Sequence, residues 1–472
     1  MNRSKLKQPA RRRPVVAMSR LACVTSAVLV AMLWTVTAIA TPRSSSPGAN
    51  GRTSADNEPS VYAIQGAKIF TLAGVPIEGG TLLIRDGKIA AVGTNVNVPA
   101  DAKLIDAKGL EIYPGFFDPV TQLGLTEISA VPATNDVSEM GEFDPELVAM
   151  TAVNPASAHI GVTRASGITE VLVTPGVRGF DSFGDNSVIA GQASVLNLAG
   201  WTNEQMTLRA SAAMVLNWPS VESSTFDFDT YKVIERPYSE VKAEYEKKTY
   251  ALSDLLDRAR HYAQAVEKGS TQNFERDLKL EALIPVVEGK LPVLVVAESA
   301  RDIRNSVEFC TKQNLKMILA GGTEAWREKD LLKQKNIPVI LGPTMRLPNE
   351  EDYPYDKPMT QPAELAAAGI PIAFASFDTS FSRRLSQQAG NAVAYGLPHD
   401  EALRAVTLNA AKMLGLDDQL GTIESGKLAN IFVTDGDPLE IRTQVRYLFI
   451  KGRLTSLDNR HLELYEQYRK RP

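Results

Sequence analysis

Short apolar runs that recur along the chain are the strongest constraint on its fold. They lie at 169–175 (TEVLVTP), 292–298 (PVLVVAE), 316–322 (KMILAGG), 338–344 (PVILGPT) and 371–378 (PIAFASFD). Amphipathic segments separate the later runs, and Ser299 is a suitable N-cap for the helix that we predict after the second run. Buried strands that alternate with helices are typical of parallel βα units. The pattern predicts an α/β protein with a closed (β/α)8 barrel or a doubly wound sheet, and the size of 113–420 favours the barrel.

Segments on both sides of this region read as short strands. Residues 61–112 alternate apolar and polar side chains, and Asp86-Gly87 is a signal for a type I′ hairpin turn. GKLANIFVTDGDPLE and VRYLFIKGRLTS show the same pattern near the C-terminus. We therefore predict that 61–112 and 421–472 together build one small β domain beside the barrel.

Residues 219–270 interrupt the alternation of strands and helices inside the barrel region. They are polar and rich in tyrosine, with one apolar helical stripe formed by Leu252, Leu255, Leu256, Ala259, Ala263 and Val266. We interpret this insertion as a helical excursion that packs on the barrel. The alternative is a lid over the barrel mouth.

The first 60 residues predict export. Residues 1–20 carry seven basic side chains and no acid, 21–40 carry no charge, and this stretch ends in Ala38-Ile39-Ala40. These features indicate a cleaved signal peptide at 1–40, while an uncleaved membrane anchor is the alternative. Residues 41–60 lack large apolar side chains, which predicts a flexible linker. We expect a periplasmic protein.

Composition excludes several classes of protein. The net charge is −4 even with the basic leader included, so the rest of the chain is acidic, which argues against a nucleic-acid partner. Two cysteines, Cys23 and Cys310, cannot form a disulfide framework. Neither a GxGxxG nor a Walker sequence is present, so nothing predicts a nucleotide-binding fold.

Four segments carry a resemblance to a known family. They are TLLIRDGKIAAVG at 81–93, YPGFFD at 113–118, LKMILAGGTEAW at 315–326 and the stretch at 401–436 that contains TLNAAKMLG and GKLANIFVTDG. Together they resemble the metal-dependent amidohydrolase superfamily, in particular its imidazolonepropionase- and prolidase-like branch. The resemblance implies a (β/α)8 amidohydrolase barrel with a composite β domain. It also implies hydrolysis of C–N bonds by one or two divalent metals at the barrel mouth.

The residues at the family's metal-ligand positions do not match that chemistry. The His-x-His that follows PG-F-x-D falls on Val120 and Gln122, the strand 5 ligand on Val296, and the strand 6 ligand near Gly321. Valine and glycine offer no lone pair, and a catalytic zinc needs about three N, O or S ligands from the protein. We therefore predict no metal site and no cofactor. Zinc is expected only if the site uses unusual ligands.

Acidic and amide side chains remain as candidates at the mouth. Near the position where the family has its strand 8 aspartate, the only acidic residue of this chain is Asp378. Asp378 is therefore the one catalytic candidate. The ligand-binding candidates are Asp118, Gln122, Glu298 and Glu324. We expect solvated or hydrogen-bonded roles for the four histidines, His159, His261, His399 and His461, and for the loop acids Glu127, Asp136, Glu139, Glu142 and Asp144. The loop acids are also a possible Ca²⁺ or Mg²⁺ site.

Three functions follow as hypotheses. We favour an exported amidohydrolase-related protein with a degenerate metal site, which binds a small-molecule or peptide-like ligand or partners an intact relative. The second is an active hydrolase of C–N bonds that uses Gln122, Glu298 and Asp378. The third is an interaction module without chemistry. A membrane contact is expected only through an uncleaved leader.

Overall fold

The computed structural model describes residues 61–177, 187–221, 223–227, 232–269 and 276–471. The predicted signal peptide at 1–40 and the predicted linker at 41–60 lie outside the described residues, so both stay predictions. Within the described ranges, no helix combines the length and the apolar character that a membrane span requires.

The chain begins its described part with five short strands. They are β1 (Val61–Ile69), β2 (Ile77–Arg85), β3 (Lys88–Gly93), β4 (Lys103–Asp106) and β5 (Glu111–Pro114). Strands β2 and β3 pair in antiparallel fashion through the predicted turn, where Asp86 and Gly87 have φ values of 51° and 79°. Two consecutive positive φ values are what a type I′ turn requires, so this prediction is confirmed.

Eight strands then form the barrel-like sheet. They are β6 (Phe116–Thr121), β7 (Ile168–Val173), β8 (Ile189–Asn197), β9 (Thr207–Asn217), β12 (Val293–Ala297), β13 (Met317–Gly321), β14 (Val339–Leu341) and β15 (Ile372–Phe374). They are neighbours in this order, and β10 (Ser224–Asp227) and β11 (Lys232–Glu235) form a separate hairpin. The predicted barrel is confirmed.

One strand of the barrel differs from the expected parallel pattern. Strand β8 runs antiparallel to both β7 and β9, whereas the other neighbouring pairs in the sheet are parallel. Its connections carry little helix, because only α2 (Asn203–Met206) lies between β8 and β9. An apolar run shows that a strand is buried, but it does not give the direction of that strand.

Helices surround the sheet and complete the βα units. They are α1 (Ala158–Arg164), α3 (Tyr238–Glu267), α4 (Leu278–Val287), α5 (Ala300–Lys312), α6 (Lys329–Gln334), α7 (Lys357–Ala367), α8 (Leu385–Ala394), α9 (His399–Ala405) and α10 (Leu408–Met413). Ser299 caps α5 as predicted, since its side chain accepts a hydrogen bond from the N–H of Asp302. The predicted insertion is mainly α3, which buries Leu252 and Ala259 of the expected stripe but leaves Val266 exposed.

Alternating residues of the barrel strands serve two separate cores. On β12, Val293 and Val295 belong to the large cluster that includes the surrounding helices, while Leu294 and Val296 belong to an inner cluster. Side chains of a strand alternate between the two faces of its sheet. Val293 and Val295 therefore point out of the barrel, and Leu294 and Val296 point into it. The interior of the barrel is therefore packed with apolar side chains.

The C-terminal strands return to the first sheet. They are β16 (Ile431–Thr434), β17 (Val445–Ile450) and β18 (Arg453–Leu454), followed by α11 (Arg460–Tyr468). The order of the sheet is β18-β17-β16-β5-β1-β2-β3, with β4 paired to β1. Both ends of the globular part thus build one β domain, as the alternating segments predicted.

A buried polar cluster joins this β domain to the barrel. Asn430, just before β16, donates hydrogen bonds to Glu170 of β7 and to Asn197 Oδ1 of β8, the latter at 2.7 Å. The carbonyl oxygen of Asn430 accepts a hydrogen bond from the N–H of Gly115 at 2.8 Å. Burial raises the pKa of Glu170 to about 7, although hydrogen bonds from Thr169 and Asn430 oppose this shift.

Candidate functional site at the barrel mouth

Two of the four positions that we predicted to correspond to the family's metal ligands carry apolar side chains inside the barrel. Val120 of β6 and Val296 of β12 belong to the inner cluster, together with Val177 and Phe377. Each of these four residues is at most 7% exposed. Hydrocarbon side chains cannot coordinate a cation, so this part of the mouth is closed by packing and not by polar contacts.

The third predicted position, Gln122, is bonded to the backbone that follows β7. Its Nε2 donates a hydrogen bond to the carbonyl oxygen of Val177 at 3.3 Å. Asn217, at the end of β9, donates to the carbonyl oxygens of Gly176 at 2.8 Å and Ser187 at 3.1 Å. Two carboxamides thus hold both ends of the segment that leads from β7 to β8.

The fourth position, Gly321, faces the carboxylate of Glu298. The Oε2 atom of Glu298 accepts hydrogen bonds from the N–H of Thr323 at 3.0 Å and from its hydroxyl, to which Arg346 also donates. Burial raises the pKa of Glu298, against the opposing effect of Arg346. A β-carbon placed on Gly321 would lie 2.2 Å from Glu298 Oε1. Glu298 therefore occupies the space that a ligand side chain at 321 would need.

We expect Gly321→Ala to lower the free energy of unfolding by about 2–4 kcal/mol, measured by urea denaturation. Gly321 has φ +89°, which strains any other residue, and the new methyl group would displace the hydrogen-bonded carboxylate of Glu298. Gly289→Ala is a matched control, because Gly289 has φ +70° but a β-carbon there meets nothing within 4 Å. Equal losses in the two variants would contradict the displacement of Glu298.

Asp118 lies between the first and last strands of the barrel and is not open to the mouth. Its Oδ1 accepts a hydrogen bond from the N–H of Ser376 at 3.0 Å, and its Oδ2 accepts one from Ser382 Oγ at 2.6 Å. The side chain is fully buried, and burial raises its pKa to about 6, although these hydrogen bonds oppose the shift. Its contacts explain a structural role in closing the barrel, where the N–H of Phe377 also donates to the carbonyl oxygen of Val120 at 2.9 Å.

The other two acidic candidates bind backbone groups. Asp378 accepts a hydrogen bond from the N–H of Phe381 at 2.7 Å through Oδ1. Glu324 binds the start of another helix, because its Oε2 accepts a hydrogen bond from the N–H of Ala300 at 2.8 Å. It thus caps the N-terminus of α5, where a carboxylate is stabilised by the helix dipole. Tyr353 donates to its other oxygen at 3.1 Å.

The histidines and the loop acids show no ligand cluster. His159 Nε2 lies 3.0 Å from the carbonyl oxygen of Glu127, and His399 Nε2 lies 2.7 Å from Asp437 Oδ2, which raises the pKa of His399. Asp144 accepts a hydrogen bond from Lys279 Nζ at 3.0 Å. Throughout the described ranges, His, Cys, Asp and Glu side chains form no group of three or more that could hold a metal ion.

The polar network around Glu298 leaves little room at the mouth. The cavity beside it is lined by Gly321, Thr323, Gly342, Arg346 and Gln361, among others, and its volume is about 10 Å³. This is space for roughly one water molecule. This cavity is therefore too small to hold a substrate in the present conformation.

Sequence reasoning missed several side chains that organise this region. Asn217, Thr323 and Ser376 follow or end buried strands, and their polarity after an apolar run was an available signal. Arg346 and Ser382 lie in later loops, and no pattern in the sequence connects them to Glu298 or Asp118. Their partners are separated by tens to hundreds of residues, so only the fold brings them together.

Comparisons with known proteins agree on the origin of this barrel. A model described as "Amidohydrolase family" matches residues 355–457. The imidazolonepropionase of Symbiobacterium thermophilum is 26% identical over 419 residues, which cover 78% of this chain and 88% of that protein. An amidohydrolase of Hapsidospora irregularis is 22% identical over 405 residues, which cover 79% of this chain and 39% of that protein.

A solved structure supports the same assignment over most of the fold. The crystal structure of an amidohydrolase from Thermotoga maritima MSB8 matches with a TM-score of 0.72 and 25% sequence identity. The match covers 84% of this chain and 99% of that one. The motifs at 81–93 and 113–118, the composite β domain and these relatives all support one assignment for this fold, the amidohydrolase superfamily.

Proposed function

We propose that this protein is an exported, non-hydrolytic member of the superfamily that acts by binding a small ligand or an intact relative. The observation that supports this most is the burial of Val120 and Val296 in the apolar inner cluster of the barrel, at positions where the family resemblance implies metal ligands. A buried apolar contact is stabilised by excluding water, whereas metal-dependent hydrolysis requires a bound water at the same place.

The remaining polar groups do not fit a zinc site. Zinc in a catalytic site takes about three protein ligands and leaves one position open for water, whose pKa falls to about 7. Gln122 offers a neutral amide whose nitrogen is bonded to Val177, and the Glu298 carboxylate is bonded to Thr323. Asp378 accepts a hydrogen bond from the backbone of Phe381. We therefore derive no reaction step through a metal hydroxide in this protein.

Metal content and turnover test the proposal together. We expect purified protein to hold well under one equivalent of zinc by elemental analysis. We also expect no turnover of dipeptides or cyclic amides, with or without added Zn²⁺, Mn²⁺ or Co²⁺. A superfamily member that retains His-x-His, prepared in the same way, is the positive control.

Either of two results would support the competing hypothesis, an active hydrolase. A full equivalent of tightly bound metal, or turnover that Asp378→Ala abolishes, would show an active hydrolase with unusual ligands. Gln122→Ala and Glu298→Gln would then be measured to find which of the two side chains takes part. Turnover that survives all three substitutions would point to a contaminating enzyme.

The leader supports the exported part of the proposal. Its basic start, uncharged run and Ala38-Ile39-Ala40 ending are typical of a signal peptide. After cell fractionation, we expect mature protein in the periplasmic fraction with an N-terminus near residue 41. Full-length protein in the cytosol would contradict export, and full-length protein in the membrane fraction would indicate an uncleaved anchor.

A further inference from the structure

A second cavity lies away from the barrel mouth, between the insertion and the loop after β6. Its volume is about 610 Å³, within the range of ordinary small-molecule sites. Its apolar walls come from α3, the first turn of α4 and the loop, through Phe143, Tyr250, Ala251, Leu255 and Leu280. The insertion thus forms one side of an open cavity beside the barrel, where a ligand with an apolar body can be held.

The walls of this cavity are fixed by hydrogen bonds. Lys279, in the first turn of α4, donates to the carbonyl oxygen of Phe143 at 2.6 Å and to Asp144 at 3.0 Å. The carbonyl oxygen of Glu142 accepts hydrogen bonds from the N–H groups of Val188 and Ile189, at 2.7 and 3.1 Å. The loop is therefore tied to α4 on one side and to the barrel on the other, so the cavity is largely formed before any ligand arrives.

The charges on the cavity divide into engaged and unengaged groups. The ammonium group of Lys279 is already bonded to Phe143 and Asp144. The carboxylate of Asp277 accepts hydrogen bonds from two N–H groups at the start of α4. Glu142, Lys247 and Asp254 also line the cavity, and within the described ranges their side chains make no hydrogen bond or ion pair. Opposite charges beside an apolar wall match a ligand that carries both an ammonium and a carboxylate group.

The spacing of two of these charges sets the length of the ligand. Lys247 and Asp254 are seven residues apart on α3, which corresponds to about 10 Å along the helix axis. They flank Tyr250 and Ala251 on the same side of the helix. An extended peptide advances about 3.3–3.6 Å per residue, so three residues span about the same distance.

We propose that this cavity binds an apolar peptide of about three residues with both termini free. Its carboxylate pairs with Lys247, its ammonium group pairs with Asp254, and its side chains pack on Phe143, Leu255 and Leu280. This inference rests on the proposed binding function and places the ligand in the insertion instead of the barrel mouth. It requires no covalent step.

Calorimetric titration of the full mature protein with leucyl-alanyl-leucine tests the site. We expect saturable binding that weakens at least tenfold for the N-acetylated peptide and for the C-terminal amide. Lys247→Gln should weaken the parent peptide at least tenfold but should not weaken the amide further. Asp254→Asn should act in the corresponding way toward the N-acetylated peptide.

Two further variants distinguish binding at this site from nonspecific binding of the peptide. Ala251→Trp fills the cavity and should abolish binding, and thermal unfolding confirms that the variant is folded. Lys242→Gln changes a lysine of α3 that pairs with Glu246 outside the cavity, so it should bind as the parent protein does. Absence of saturable binding at millimolar peptide, or binding that survives Ala251→Trp, would overturn the proposal.

Recovery of the peptide after titration keeps this inference distinct from the proposed function. Intact peptide together with binding supports both. Cleaved peptide, with cleavage that depends on added metal, would defeat the non-hydrolytic function but leave the cavity as a binding site. Intact peptide without binding would defeat only the assignment of this cavity.

Discussion

Gly115→Ala is expected to lower the free energy of unfolding by about 3–5 kcal/mol. A β-carbon on Gly115 would lie 1.7 Å from Thr169 Oγ1 and 2.8 Å from Thr169 Cβ. Thr169 is fully buried and its hydroxyl is bonded to Glu170, while the N–H of Gly115 is bonded to Asn430. Neither strand can move away without breaking the polar cluster that joins the barrel to the β domain. Chemical denaturation measures the loss.

Two variants test the cause of that loss. Gly74→Ala should change stability by less than about 0.5 kcal/mol, because a β-carbon there meets nothing within 4 Å. Adding Thr169→Ala to Gly115→Ala should recover part of the loss, since it removes the atoms that clash. A loss in Gly115→Ala below about 1 kcal/mol would show that the two strands separate easily. The glycine of the PG-F-x-D motif would then have no packing role here.

Asp118→Ala is expected to cost a similar amount, about 3–5 kcal/mol. The substitution leaves the N–H of Ser376 and the hydroxyl of Ser382 buried without an acceptor, at the place where β6 meets the end of β15. Asp118→Asn should cost much less, because its oxygen can accept from the N–H group while its NH₂ donates to Ser382 Oγ. Urea denaturation at pH 7 compares the two variants.

The pH dependence of the Asp118 variants has a definite sign. Because burial raises the folded pKa of Asp118 from 3.8 to about 6, the folded state holds its proton more tightly than the unfolded state. The stabilisation from that proton is complete below about pH 4 and is lost as the pH rises through 6. The deficit of Asp118→Asn relative to the parent protein should therefore be larger at pH 4 than at pH 7. An unchanged deficit would contradict a raised pKa.

The sequence predicted the buried strands and the composite β domain well, because both depend on local patterns. The runs at 292–298, 316–322 and 338–344 contain β12, β13 and β14, and Asp86-Gly87 forms the expected turn. The antiparallel direction of β8 was not predictable in this way, since periodicity reports burial and not direction. A strand's direction depends on the lengths and contacts of its connections.

The candidate site was predictable in its residue types but not in its contacts. The motif alignment identified Val120, Gln122, Val296 and Gly321, and the structure shows that both valines point into the barrel. The sequence did not show that Asp118 is buried between strands or that Glu324 caps the N-terminus of α5. Those roles depend on Ser382 and Ala300, which lie far from these acids in sequence.

The position of the Glu298 carboxylate also limits how this barrel can change. A histidine introduced at 321 alone would meet the carboxylate of Glu298 and would replace a glycine with φ +89°. A histidine at 321 therefore requires a change at 298 as well, because the two side chains would otherwise need the same space. A single substitution at 321 thus cannot place an imidazole there without displacing the carboxylate of Glu298.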